Sequence, residues 1–100
     1  MNMDSIENPD IVNEELKFWK TIHRSLEDGD GEYAYADAGD SMSLVDEMLG
    51  GNQEYQRLTA LRQEVSRKIM MGSAEEKREG IREFGDWISQ VEAILDNPET

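Results

Sequence analysis

The sequence predicts an all-α protein, built as a small antiparallel bundle of three to four helices. In four successive segments, apolar residues recur at alternating steps of three and four, which is the spacing of one helix face and fits no strand. The links between these segments are only one to four residues long, as expected for neighbouring helices that run antiparallel. The four predicted helices cover about residues 9–27, 32–49, 53–71 and 74–96.

The length and composition of the chain limit the hydrophobic core that it can form. The chain has 100 residues, 37% of them hydrophobic, and a mean hydropathy of −0.75, so one domain must draw its core from amphipathic helices. We expect a flexible acidic leader at 1–8 and a single helical domain at 9–97. No run approaches the roughly 18 apolar residues of a membrane span, the N-terminus is unlike a signal peptide, and cysteine is absent. These features indicate a cytoplasmic protein.

The first two helices differ in how clearly the sequence defines them. Asn8-Pro9 starts the first helix, and the turn at 28–31 ends it. The second helix begins at about Glu32, but Gly39 lies inside it and costs about 1 kcal/mol relative to alanine. A break at Gly39 is therefore the alternative to one continuous helix. The apolar row along this stretch consists of Tyr35, Ala38, Met42, Val45 and Leu49.

The last two helices have clear starts. Asn52 caps the third, and Ser73 with Glu76 forms a capping box at the start of the fourth. The fourth helix has two neighbouring apolar rows with a combined arc of roughly 140°, wide enough to contact two neighbours. Gly80 lies in this arc and predicts close approach of helix one or of another subunit. Replacement of Gly85 should matter much less than replacement of Gly80.

The net charge of the chain limits which classes of partner it is expected to bind. The net charge is −13 at a pI near 4.3, which disfavours binding to nucleic acid or to an anionic membrane, because both reward Lys and Arg. Residues 52–71 depart from this balance, with four cations and two carboxylates. A bundle that sequesters a small anionic ligand on this basic helix is one functional alternative. Its cations are Arg57, Arg62, Arg67 and Lys68.

The chain shows no catalytic, cofactor or metal motif. Asp28-Gly29-Asp30 looks like the beginning of a calcium loop, but the required glycine and glutamate are replaced by Tyr33 and Gly39. His23 is the only histidine and there is no cysteine, so a zinc site or a nucleophilic triad lacks its partners. We expect no enzymatic activity, no metal and no cofactor.

Two sets of residues are candidates for contact with a partner protein. Aromatic residues and methionine are enriched at protein interfaces, although packing in the core is the competing interpretation. The first set is Tyr33, Tyr35, Met42, Met48, Gly80, Trp87 and Ile94. The second set, a predicted acidic surface, is Asp28, Asp30, Glu32, Asp37, Asp40, Asp46 and Glu47.

The sequence thus predicts a non-enzymatic protein–protein interaction module, such as an acidic adaptor, chaperone or assembly factor. A marginal core for 100 residues favours self-association as a homo-oligomer. The alternative is an acidic inhibitor of the immunity, antitoxin or phage anti-defence type. Its carboxylates would take the place of nucleic-acid phosphates on a basic surface of the target. Direct binding to nucleic acid or to a membrane is not expected.

Overall fold

Five helices make up residues 9–96, the part of the chain that the computed structural model describes. They are α1 (Pro9–Glu27), α2 (Glu32–Asp37), α3 (Gly39–Leu49), α4 (Gln53–Met71) and α5 (Ala74–Asp96). The predicted all-α antiparallel bundle is confirmed. The predicted leader at 1–8 and the domain boundary at 97 lie outside the described residues.

The second predicted helix is divided into α2 and α3, with the junction at Ala38. The N–H of Ala38 donates to the carbonyl of Tyr35 at 3.1 Å, a step of three residues in place of four. Met42 then donates to the carbonyl of Ala38 at 2.9 Å, which restarts the α-helical pattern. The expectation of one continuous helix is therefore wrong and the alternative, a break near Gly39, is the one observed, although the buried apolar row continues across it.

The core centres on α5, which packs against α4 and α1. Trp19 and Trp87 are fully buried there, with ring centroids 4.8 Å apart. Both indole N–H groups have partners, because Trp87 donates to the Leu58 carbonyl at 3.0 Å and Trp19 to the Ser41 hydroxyl at 2.8 Å. Buried aromatic rings whose polar atoms are satisfied stabilise a fold strongly. The wide apolar arc of the last helix is thus covered within one chain.

The α4–α5 contact is a hairpin in which the two backbones come close at Gly80. A Cβ at Gly80 would lie 2.8 Å from Lys68 Cβ and 3.1 Å from Ile69 Cγ1, so the helix that approaches this glycine is α4. The predicted close approach of another helix at Gly80 is confirmed, but that helix is α4 and not helix one or another subunit. At the start of α5 the predicted capping box is present, with Glu76 N–H donating to Ser73 Oγ at 3.2 Å and the reverse bond at 3.1 Å.

The α1–α5 contact is marked by the other glycine, Gly85. A Cβ at Gly85 would lie 2.8 Å from Nε2 of His23, so the missing side chain lets the His23 ring pack against α5. The prediction emphasised Gly80, because no local pattern joins Gly85 to a histidine so distant in the chain. Both glycines in fact mark places where another helix packs closely on α5.

Candidate protein-binding surface

One exposed row runs along α2 and α3. Its five members are spaced at steps of four, three, four and three, so they share a face opposite the buried row that begins at Tyr35. All five are exposed to solvent, and Tyr33 is 90% and Leu44 40% exposed. We call this row the α2–α3 stripe. Its residues are Tyr33, Asp37, Asp40, Leu44 and Glu47.

The chain around the stripe lacks positive charge. No Lys or Arg occurs between Arg24 and Arg57, a segment that contains nine carboxylates. Within the described residues, the stripe's three carboxylates form no ion pair, and neither do Asp28 and Asp30 in the turn before α2. Carboxylates that lack nearby cations create a negative field, which attracts a basic surface.

Two other members of the predicted acidic surface, Asp46 and Glu32, are neutralised inside the chain. The guanidinium of Arg62 donates to both Asp46 oxygens, at 2.7 and 2.9 Å, in a bidentate pair. The Tyr55 hydroxyl donates to Asp46 at 2.5 Å. Glu32 pairs with Lys77 of α5. The free acidic surface is therefore smaller than the sequence predicts.

The electrostatics of the Asp46 cluster follow from these contacts. Burial alone would raise the pKa of Asp46, but the hydrogen bonds from Arg62 and Tyr55 outweigh it and hold the pKa below its usual value. Burial, followed by the hydrogen bond to Asp46, raises the pKa of the Tyr55 hydroxyl, so Tyr55 remains a donor. The guanidinium carbon of Arg62 lies 5.7 Å from the Trp87 ring centre. The cluster thus joins α3 to α4 beside the core.

Polar contacts on the inner face hold the stripe in place. The Tyr35 hydroxyl lies 2.7 Å from the Ser66 hydroxyl and joins α2 to α4. Trp19 of α1 donates to Ser41 of α3, and the Asp46 cluster connects α3 to α4. A surface held in this way loses little conformational freedom when it binds, which lowers the entropic cost of association.

Of the seven predicted partner-binding residues, only Tyr33 is exposed. The other six contribute to the interior of the single chain, either fully buried or, in the case of Met48, partly buried against the core. They are Tyr35, Met42, Met48, Gly80, Trp87 and Ile94. For these six residues, burial favours the competing interpretation of packing in the core, because a side chain already covered by its own chain has little surface to offer a partner.

Sequence reasoning missed Leu44 as a surface residue. Its type suggests the core, but its position four residues after Asp40 places it on the polar face, and that spacing was the available signal. Other large apolar side chains are also more than a third exposed. They are Ile11, Phe18, Met70 and Met71.

Helix α4 does not offer the free positive charge that the sequence predicts. Each of its four cations is paired with a carboxylate in the described structure. The pairs are Arg57 with Glu54 at 3.1 Å, Arg62 with Asp46 at 2.7 Å, Arg67 with Glu64 at 2.6 Å, and Lys68 with Glu79 at 2.8 Å. An anionic ligand on this helix would have to displace these carboxylates.

His23 is set apart from any cluster of metal ligands. Its Nε2 atom is buried and has no hydrogen-bond partner among residues 9–96, and its Nδ1 atom lies 3.7 Å from Glu27. Over the same residues, no group of three or more His, Asp or Glu side chains is arranged to hold a metal ion. None of the helices in this range has both the length and the apolar character needed to cross a bilayer.

No known protein family matches the chain, and no curated protein or solved structure is significantly similar to it. Function must therefore be argued from the geometry of this fold. The clearest exposed feature is the α2–α3 stripe, an acidic row with two apolar side chains on a supported pair of helices.

Proposed function

We propose that this protein is a non-enzymatic protein-interaction module that binds a basic surface of a partner protein through the α2–α3 stripe. The observation that carries the proposal is the composition of the stripe. Three carboxylates without ion-pair partners in the described structure share one exposed face with Tyr33 and Leu44. Tyrosine is enriched at protein interfaces, and charged residues around it select the partner.

Charge and apolar contact have different effects in such an interface. Exposed ion pairs contribute only about 0.2–1 kcal/mol each, so the stripe carboxylates mainly accelerate the encounter and exclude acidic partners. A partner pocket that covers Tyr33, now 90% exposed, would add about 1.5–3 kcal/mol. Tyr33 is therefore the expected hot spot, with the carboxylates forming the rim around it.

The test is capture of a partner from an extract of the native host by wild-type protein and two matched variants. The stripe variant is Asp37→Asn/Asp40→Asn, and the control is Glu75→Gln/Asp96→Asn, which removes the same charge at exposed positions elsewhere. Wild type and control should capture the same protein, and the stripe variant should lose it. Capture by wild type should also weaken as salt is raised. Equal capture by both variants would contradict the proposal.

A narrower form of the proposal is an acidic inhibitor that occupies the nucleic-acid-binding surface of its target. The net charge of −13 and the cation-free segment of nine carboxylates favour this form. Competition between this protein and a labelled oligonucleotide for the captured partner separates the two forms. An inhibitor displaces the oligonucleotide, whereas another kind of interaction module leaves it bound.

Self-association is part of the proposal and concerns a different helix. Ile11 and Phe18 lie seven residues apart on one face of α1 and are 42% and 43% exposed. A second copy packed on this face would cover both side chains. Light scattering over a concentration series should show the mass rise above 11.4 kDa for wild type but not for Phe18→Ser. A wild-type mass that stays constant at high concentration would contradict self-association.

A further inference from the structure

The surface between α1 and α5 holds a groove of about 990 Å³, which we call the α1–α5 groove. Apolar side chains, those of Leu26, Ile81 and Ile88, contribute to its lining. Half of the chain's ten Lys and Arg residues also line it, together with three carboxylates. These cations are Lys20, Arg24, Lys77, Arg78 and Arg82. A positively charged groove is unexpected in a chain with a net charge of −13.

Two of the five cations form ion pairs that link neighbouring helices. Lys20 of α1 pairs with Glu92 of α5 at 2.5 Å. Lys77 of α5 pairs with Glu32 of α2. The remaining three cations are exposed arginines that form no ion pair with any residue in the described range. They are Arg24, Arg78 and Arg82.

A shortage of carboxylates does not explain these unpaired arginines. The chain has 23 carboxylates for ten Lys and Arg residues, and α4 pairs every one of its cations. Arg78 and Arg82 also lie four residues apart on α5, a spacing at which like charges repel each other. Glu79, three residues before Arg82, attracts it at longer range, but neither arginine has a carboxylate within ion-pair distance in the described residues, so an anion in the groove would offset their mutual repulsion.

Gly85 of α5 and His23 of α1 meet at the groove. Both residues line it, and the His23 ring packs where a side chain at Gly85 would otherwise lie. Any side chain at Gly85 would conflict with that ring and force it to shift. The groove therefore combines apolar lining, a glycine in its wall and arginines at its edges.

We propose that the α1–α5 groove binds a small organic phosphate, with its phosphate groups at Arg24, Arg78 and Arg82 and its apolar or aromatic body on the apolar lining. A guanidinium presents two parallel donors that match a phosphate. The groove is within the range of about 300–1,000 Å³ that small-molecule sites occupy. A phosphate polymer or an anionic membrane would meet the acidic remainder of the molecule, whereas a small ligand contacts the groove alone. This site goes beyond the proposed interaction function, since the stripe lies on α2 and α3.

Isothermal titration calorimetry of the full chain with ATP, adenosine and tripolyphosphate tests this assignment. ATP combines a flat body with a triphosphate, and each of the other two compounds supplies one of these features. The groove variant is Arg78→Gln/Arg82→Gln. The matched control is Lys17→Gln/Arg57→Gln, which removes two exposed cations outside the groove. All four positions are exposed, and circular dichroism verifies that both variants fold.

We expect wild type to bind ATP more tightly than either fragment, and the groove variant to lose at least about tenfold in affinity, because charged hydrogen bonds to phosphate are removed. The control should keep the wild-type affinity. The assignment is overturned by failure of ATP to bind at millimolar concentration, or by equal losses in variant and control. It is also overturned if adenosine or tripolyphosphate binds as tightly as ATP. Partner capture through the stripe should be unchanged in the groove variant, so the two proposals can fail separately.

Discussion

Helix α5 packs mainly against α4 and α1, and these two contacts differ in how fully their cations are paired. Against α4, Lys68 bridges to Glu79 and Glu83 at 2.8 and 3.1 Å, and Gly80 lies where the backbones come close. Against α1, the helix presents Arg78 and Arg82 at the edge of a groove, without carboxylate partners in the described structure. The cations of α4 are all paired by the fold, whereas three of the five in the α1–α5 groove, Arg24, Arg78 and Arg82, form no ion pair in the described residues.

This difference shows how one amphipathic helix can serve a structural and a binding purpose together. Its buried arc is shared between both neighbours, with Trp87 touching residues of α1 and α4. The polar residues on the two sides of that arc can therefore make different contacts. One flank closes a hairpin by ion pairs and close packing, and the other borders a space large enough for a small molecule.

The largest expected effect comes from Trp87→Ala, which removes the side chain common to both contacts. The side chain is fully buried, contacts the Trp19 ring with centroids 4.8 Å apart, and donates to the Leu58 carbonyl. We expect a loss of about 3–5 kcal/mol in the free energy of unfolding, measured by urea denaturation. Tyr33→Ala, at an exposed aromatic position, is the control and should change it by less than about 0.5 kcal/mol. If Trp87→Ala left the free energy of unfolding nearly unchanged, a core shared by the α4 and α1 contacts would be contradicted.

Gly80→Leu and Gly85→Leu compare the two contacts directly. At Gly80 the obstacles are Ile69 Cγ1 and Lys68 Cβ, an atom attached directly to the α4 backbone, so we expect a loss of about 1–3 kcal/mol in the free energy of unfolding. At Gly85 the obstacle is the far end of the His23 ring, so the loss should be smaller. Adding His23→Ala should restore stability to the Gly85 variant and not to the Gly80 variant. Rescue of both variants, or of neither, would show that the two contacts have been assigned wrongly.

Asp46→Asn tests the ion pair in the Asp46 cluster, because the contribution of Asp46 to stability depends on pH. Because the pKa of Asp46 is lowered in the folded protein, its stabilising contribution is present above the unfolded pKa of about 3.9 and is lost as the pH falls through the folded pKa. At neutral pH we expect the variant to be less stable by about 1–2 kcal/mol, reduced by partial exposure. That gap should shrink below about pH 4. If the difference in free energy of unfolding stayed constant down to the lowest pH at which wild type folds, the ion pair would be ruled out as its cause.

The smallest effect should come from Lys20→Met, which removes the pair between α1 and α5. Both partners are substantially exposed, with side chains 50% and 39% accessible, so the free energy of unfolding should change by less than about 1 kcal/mol. Thermal unfolding at low and high salt checks this, because an exposed pair is screened. A loss as large as that of Gly80→Leu would show that the α1–α5 contact also depends on its ion pairs.

The fold was predictable because it depends on local signals. Helical spacing located the helices, and Ser73 and Glu76 located the start of α5, whereas Gly39 only raised the alternative of a break. Tyr35 and Met42 were correctly placed on one row, but residue type alone could not distinguish a core row from a binding row. Burial settles that question, and burial depends on which elements meet in three dimensions.

Charge was the part that sequence reasoning could not resolve. The cations of α4 gave residues 52–71 a positive balance, yet Arg62 is neutralised by Asp46 of α3 and Lys68 by Glu79 of α5. The α1–α5 groove is built from segments far apart in the chain, so no motif marks it. Ion pairs and grooves of this kind are properties of tertiary contact, and local spacing carries little information about them.

NMR of the guanidinium groups can test most directly whether the arginines of α4 are paired while Arg78 and Arg82 in the groove are free. Hydrogen exchange of the side-chain N–H groups should be slow for Arg62, which donates to Asp46 at 2.7 and 2.9 Å. It should be as fast as in free arginine for Arg78 and Arg82, and should slow there when ATP is added. Arg78 and Arg82 protected as strongly as Arg62 in the absence of ligand would contradict the account.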